Sequence, residues 1–251
     1  MMRMALRVIK NNLSISVLVS AVIIMFSLLI WLWLSPLPAA INGQEKVQGQ
    51  QKEGANTPIS FDLSVFGPDG MSDLTEEQKS KLFSGEVIIT SSPDIKPNYQ
   101  TIVSAAILFP RSVEKVWAVL SAPERQAEYL EEIDKLKIIE QVADYNRIEF
   151  LVRIMGQKMR YTVIHHFEPG EYFFCWELDR SVHNDLKELY GFWKLYSVGD
   201  KTVGRYGSYI QLAFPVPDFI KNWLYKKNLR SSLKKVIDYV LAQTGGGENE
   251  R

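Results

Sequence analysis

Between residues 136 and 214 the chain places six strand-like segments one after another, with no stretch left over for a helix between them. They run over 136–142, 147–155, 159–167, 172–179, 187–197 and 202–214, and most are rich in β-branched and aromatic residues. Turn-forming residues separate them at Asp144-Tyr145-Asn146, Gly156-Gln157, Pro169-Gly170-Glu171 and Gly199-Asp200. Strands joined this tightly pair antiparallel, because a parallel pair needs a crossover of about a dozen residues or more. Ahead of this meander come a strand over 101–109 and a helix over 112–129, with Ser112 as N-cap and Val113, Val116, Trp117 and Leu120 on its apolar stripe. Behind it, over 217–243, Phe219, Trp223, Leu229, Leu233, Val236, Ile237 and Val240 recur at helical spacing, and Gly245-Gly246-Gly247 ends the helix. A twisted meander beside one long apolar helix buries its inner face by curling round that helix. The predicted class is therefore α+β, a curved antiparallel sheet of seven strands wrapped around a C-terminal helix.

A second constraint lies at the other end of the chain. No charged residue occurs from Asn11 to Gln44, and the core of that stretch reads LSISVLVSAVIIMFSLLIWLWL from Leu13 to Leu34. As a helix it reaches about 33 Å, enough to cross a hydrocarbon layer about 30 Å thick. A cleaved signal peptide has an apolar run of only about 7 to 15 residues, and Pro38-Ala39-Ala40 is an imperfect cleavage site, so an uncleaved anchor over 13–35 is expected. Arg3, Arg7 and Lys10 precede the span and no basic residue follows before Lys46, which keeps residues 1–12 in the cytoplasm and puts the rest outside the cytoplasmic membrane. Residues 36–70 read as a linker, most clearly over 41–58, where Gln, Gly, Lys and Glu leave little apolar surface to bury. Residues 71–98 carry a short helix with a capping box, Thr75 and Gln78, and then a strand. The main domain spans 99–245, and 246–251 is a tail.

Composition closes several classes. The chain has 251 residues with 29 basic and 29 acidic side chains, a balance without the positive excess that nucleic-acid binding uses. One cysteine, Cys175, cannot form an internal disulfide, and three histidines do not supply a structural zinc site. No metal site, cofactor or phosphate-binding glycine loop is expected.

The order strand, helix, six strands, long helix resembles the START-like superfamily, also called the polyketide cyclase and Bet v 1-like (SRPBCC) superfamily, with its helix-grip fold. Residues 109–120, FPRSVEKVWAVL, look like the family's first-helix motif, an extended I-x-A-P-x-E-x-V-W-x-x-L pattern. Gly191-Phe192-Trp193-Lys194-Leu195 followed by Gly199-Asp200-Lys201-Thr202-Val203 resembles the G-x-W-x-L and G-x-T hairpin before the last strand. Phe214-Pro215-Val216-Pro217 stands where the family commonly has prolines before the closing helix. The resemblance implies an internal cavity for a lipid, quinone or comparable apolar molecule. Because the superfamily holds carriers as well as enzymes, it implies fold more firmly than function.

Strand alternation identifies the side chains that face such a cavity, once charged residues are assigned outward. The inward sets are Ile148, Phe150, Val152 and Ile154; Met159, Tyr161, Val163, His165 and Phe167; Phe174, Trp176 and Leu178; Leu189, Gly191, Trp193 and Leu195; and Tyr206, Ser208, Ile210, Leu212 and Phe214. From these, Phe150, Val152, Tyr161, Val163, His165, Phe174, Trp176, Trp193, Tyr206, Ser208 and Ile210 are expected to line a ligand site, with Trp117 and Trp223 from the two helices. No nucleophile motif accompanies them, and His165 is the one inward group suited to proton transfer. The expected function is non-catalytic binding or transport of an apolar molecule by a membrane-tethered domain. A cyclase-, aromatase- or hydrolase-like enzyme and an interaction module with a filled cavity are the alternatives.

Overall fold

A computed structural model describes residues 59–92, 102–154, 156–213 and 218–245, and the side chains of 91, 92, 154 and 218–227 are outside that description. The expected anchor, residues 13–35, and the tail 246–251 also lie outside the described residues. Among the described residues no helix is long and apolar enough to cross a membrane.

The strands are β1 (Ile88–Ser92), β2 (Ile102–Phe109), β3 (Ile133–Val142), β4 (Tyr145–Ile154), β5 (Gln157–Glu168), β6 (Phe173–Leu178), β7 (Leu186–Val198) and β8 (Lys201–Leu212). They form one antiparallel sheet in the order β1-β2-β8-β7-β6-β5-β4-β3. Six consecutive strands pair as a meander, and the last of them, β8, closes on β2 through pairs such as Ala105↔Tyr206 and Val103↔Ser208. The sheet has eight strands, one more than expected. The segment after the capped helix, β1, belongs to it through pairs from Ile88↔Ala106 to Ser92↔Ile102.

Among the described residues three α-helices accompany the sheet: α1 (Glu76–Phe83), α2 (Val113–Leu120) and α3 (Asp218–Thr244). The capping box of α1 is present in both directions, with the Gln78 backbone amide donating to Thr75 and the Thr75 amide donating to the Gln78 side chain. The helix expected over 112–129 stops at Leu120 instead, and a 3-10 turn, Pro123–Glu128, takes over. Pro123 has no backbone N–H and disfavours helical geometry in the residue before it, so the apolar periodicity carried the expectation past a break written in the sequence. The expected turn at 144–146 is also displaced, because Tyr145 and Asn146 already belong to β4.

On the inner face, Leu233, Val236 and Val240 of α3 pack with Ala105, Ile107 and Phe109 of β2, Val116 and Leu120 of α2, and Trp193 and Leu195 of β7. Burying an aliphatic side chain of this size contributes about 1.5–3 kcal/mol, so this half of the helix holds the sheet in its curl.

The outer face is not left to solvent. Phe66, Met71, Leu74 and Leu82 cover it, packing with Ile88, Ala106, Cys175, Phe192, Tyr196 and Val203. This corrects the linker reading of 36–70 for its last part: from Ile59 onward the chain packs on the sheet, and Phe66 is completely buried. Arg205, also fully buried, fixes the cover in place. Its Nη1 and Nη2 donate to Asp73 Oδ1 and Oδ2 at 2.9 and 2.8 Å, Nη1 also donates to the Gly70 carbonyl, and the guanidinium lies 3.8 Å from the centre of the Phe66 ring. Asp73→Ala leaves that cation buried without its carboxylate, which costs about 3–5 kcal/mol. By urea denaturation, Asp73→Ala is expected to lose most of that amount, while Glu76→Ala, which breaks only the exposed pair with Lys79, stays within about 1 kcal/mol of the parent.

Candidate functional site

Between the inner face of the sheet and α3 lies a cavity of about 810 Å³. It exists because the apolar core of the inner face is divided. One part gathers around α2 and the C-terminal half of α3; the other gathers around Ile148, Phe150, Val152, Met159 and Leu178 on β4 to β6. Trp176 packs against both, and the cavity occupies the space between them.

Register explains which side chains meet there. One row crosses the sheet through Asn146, His165, Trp176, Gly191, Ser208 and Val103, each the direct partner of the next on the neighbouring strand. A parallel row runs through Phe174, Trp193, Tyr206 and Ala105. Gly191 is the thin point of the first row: a Cβ there would overlap the Trp176 indole, so the ring lies flat across the glycine. The rings continue as a connected wall, with Trp176 and Tyr206 centred 5.8 Å apart and Trp193 and Tyr206 5.1 Å apart.

Of the side chains expected to line a ligand site, Phe150, Tyr161, Val163, His165 and Phe174 do face this cavity, and so do Trp176, Trp193, Tyr206, Ser208 and Ile210. Two do not. Trp117 sits at the margin of the core, edge-on to Tyr172 and Phe174, because Val113, Val116, Val119 and Leu120 take the buried stripe of α2. Val152 is buried among Met159 and its neighbours beyond the end of the cavity. The Trp223 side chain lies outside the described residues. The structure adds lining groups that alternation did not supply: Leu120, Tyr129 and Leu130 from the α2 end, and Leu229, Leu233 and Val236 from α3. Lys187, Ala213 and Asn228 also line it and are exposed, which puts the opening beside them. Lys187 sits at a register shift between Leu186 and Glu188, and this bulge returns Leu186 to the inner face.

Polar groups are interspersed through the lining, among them Gln126, Tyr161, His165, Ser208, Gln211 and Ser232. His165 is buried, and its Nδ1 lies 2.7 Å from Oδ1 of Asn146, itself buried. Burial, with a smaller contribution from the neighbouring His166, pushes the His165 pKa down to about 3. The imidazole is therefore neutral at physiological pH. His166 points to the other face, 3.8 Å from Glu177. Burial raises the pKa of the Tyr161 and Tyr206 phenols, which stay protonated. No carboxylate lines the cavity among the described residues, and its one cationic lining group, Lys187, is at the opening.

The neutral state of His165 has a pH signature. The unfolded chain takes up a proton near pH 6.5, whereas the folded chain resists protonation until about pH 3. Between those values the unfolded state binds more protons, so His165 costs stability as pH falls below about 6.5, at up to about 1.4 kcal/mol per pH unit. Chemical denaturation at pH 4 to 7 should show a shallower loss of stability on acidification for His165→Gln than for the parent. Equal slopes would mean that the ring is protonated in the folded state.

No protein-family model matches the sequence, and no curated protein matches it. Solved structures do match. A Thermus thermophilus protein is 20% identical, with 57% of this chain and 99% of that one aligned at a TM-score of 0.52. A START superfamily protein from Mycobacterium smegmatis is 19% identical, over 57% of this chain and 99% of that one, at 0.50. The STAR-related lipid transfer protein of Xanthomonas axonopodis is 9% identical, over 61% of this chain and 93% of that one, at 0.51. Identities this low speak for architecture alone, and the architecture is shared: the chain has the fold of these structures, a curved antiparallel sheet with a long C-terminal helix.

Proposed function

We propose that the chain binds a neutral apolar molecule, a lipid, a quinone or one of similar size and character, inside the cavity and without transforming it. The observation that carries this reading is the cavity itself: about 810 Å³ walled by aromatic and aliphatic side chains with scattered polar atoms. Pockets for small organic ligands commonly have volumes of about 300–1,000 Å³ and that composition. One of the structures sharing the fold is named a lipid transfer protein, which fits the same use.

An acid–base enzyme is less well supported. Its site would need a group poised to exchange a proton near neutral pH, and the buried imidazole, with its pKa pushed down to about 3, is a weak base. An interaction module with a filled interior is disfavoured by the open volume.

The membrane enters the proposal through the sequence. The expected anchor over 13–35 would hold the domain at the cytoplasmic membrane on its outer side, with the polar stretch 41–58 as the tether. A tethered pocket meets membrane-dissolved ligands at high effective concentration, so modest intrinsic affinity suffices.

A substitution that occupies the cavity tests the reading. Ile210 lines it and is half-buried, so Ile210→Trp adds bulk at the cavity wall. Diphenylhexatriene added to residues 54–251 should gain its own emission on entering the cavity and saturate at one equivalent, a readout that an added tryptophan does not disturb when the dye is excited directly. Ile210→Trp should weaken that binding at least about tenfold while keeping the parent's denaturation midpoint. Undiminished binding by a stably folded Ile210→Trp would place the apolar site elsewhere.

A further inference from the structure

The His165 and Asn146 pair gives the cavity a preference that its apolar walls lack. Asn146 stands beside His165 in the strand register, and its Oδ1 accepts a hydrogen bond from Nδ1–H at 2.7 Å. A neutral imidazole carries one ring proton, so a proton held at Nδ1 leaves Nε2 as a bare acceptor. No protein hydrogen bond to Nε2 is found among the described residues, and His165 is one of the side chains that line the cavity. Such an acceptor is satisfied by water or by a guest that donates to it, and a guest that displaces the water without donating leaves it unpaired.

We infer that the cavity selects an apolar guest bearing a neutral hydroxyl, a phenol or an alcohol, which donates its proton to Nε2 of His165, with Asn146 as the positioning residue that sets the tautomer. This rests on the binding reading above and narrows its ligand class. An anionic head group is disfavoured at this depth, because the cavity's one cationic lining group among the described residues is Lys187 at the opening. An ether or hydrocarbon of the same shape fills the volume but leaves Nε2 unpaired. Sites built to pair a buried polar group reject the analogue that lacks its partner.

The chain has three histidines, His165, His166 and His183, so labelling their ring nitrogens with nitrogen-15 gives a legible spectrum. The full chain in lipid nanodiscs would be titrated with 1-naphthol and with 1-methoxynaphthalene, each corrected for partition into protein-free nanodiscs. The free protein should show His165 protonated at Nδ1 and bare at Nε2. Naphthol should move the Nε2 resonance toward its hydrogen-bonded position and bind about tenfold more tightly than the ether, the worth of one neutral hydrogen bond. Asn146→Leu should abolish the single tautomer and most of the preference while the ether binds as before; an unchanged preference would remove Asn146 from its role. Equal affinities with an unmoved Nε2 resonance would overturn the acceptor assignment and leave the binding reading standing. If neither probe binds the chain beyond its partition into protein-free nanodiscs, both fall.

Discussion

Where β2, β7 and β8 meet, the sheet has no face that tolerates water. Along β2, Ala105, Ile107 and Phe109 point inward while Ile102 and Ala106 point outward, and all five are buried. Along β7, Trp193 faces in and Phe192 faces out, both buried. A sheet apolar on both sides must be covered on both, and the architecture follows from that requirement. The helix α3 supplies one cover and residues 59–83 supply the other. Arg205 is the cost of the second arrangement: a cation on a strand that the cover removes from water, kept there by Asp73, the Gly70 carbonyl and the Phe66 ring.

Among the described residues the inner cover leaves a hollow, and the proposed function rests on it. Leu233, Val236 and Val240 fill the space against α2 and β2, while the aliphatic cluster on β4 and β5 is separate and is joined to this side through Trp176. A sheet this strongly curved leaves more volume in its hollow than the described half of one helix occupies. Gly191 matters because the Trp176 ring occupies the space that a Cβ there would take. The same row places His165 and Asn146, so one line of residue pairs builds the wall and its polar contact.

Much of this was legible before the structure. The strand sequence, the period-two alternation and the helical stripe of α3 report the inner face directly, which is why Phe150, Tyr161, His165, Trp176 and Tyr206 could be placed by counting. What was not legible has physical reasons. Asn146 looks like a turn residue by composition, and only extending the alternation two positions back from Ile148 reveals it on the inner face. The bulge at Lys187 shifts a register that counting assumes constant. The cover over 59–74 escaped because Phe61, Leu63, Phe66, Met71 and Leu74 follow no regular period. The apolar run IVSAAILF of β2, which lacks alternation, was the available sign that something had to cover the outer face.

Fold, cavity and polar pair converge on one claim: the hollow of the sheet holds an apolar guest rather than water or a reacting substrate. Native mass spectrometry of the intact chain, released in the gas phase from membranes of its own host, addresses that claim directly. The account predicts a population heavier than the bare chain by one small molecule, which leaves on collisional activation and is recovered unchanged in an organic extract. A bare-chain mass alone, from membranes that supply the full range of host lipids and quinones, would contradict it.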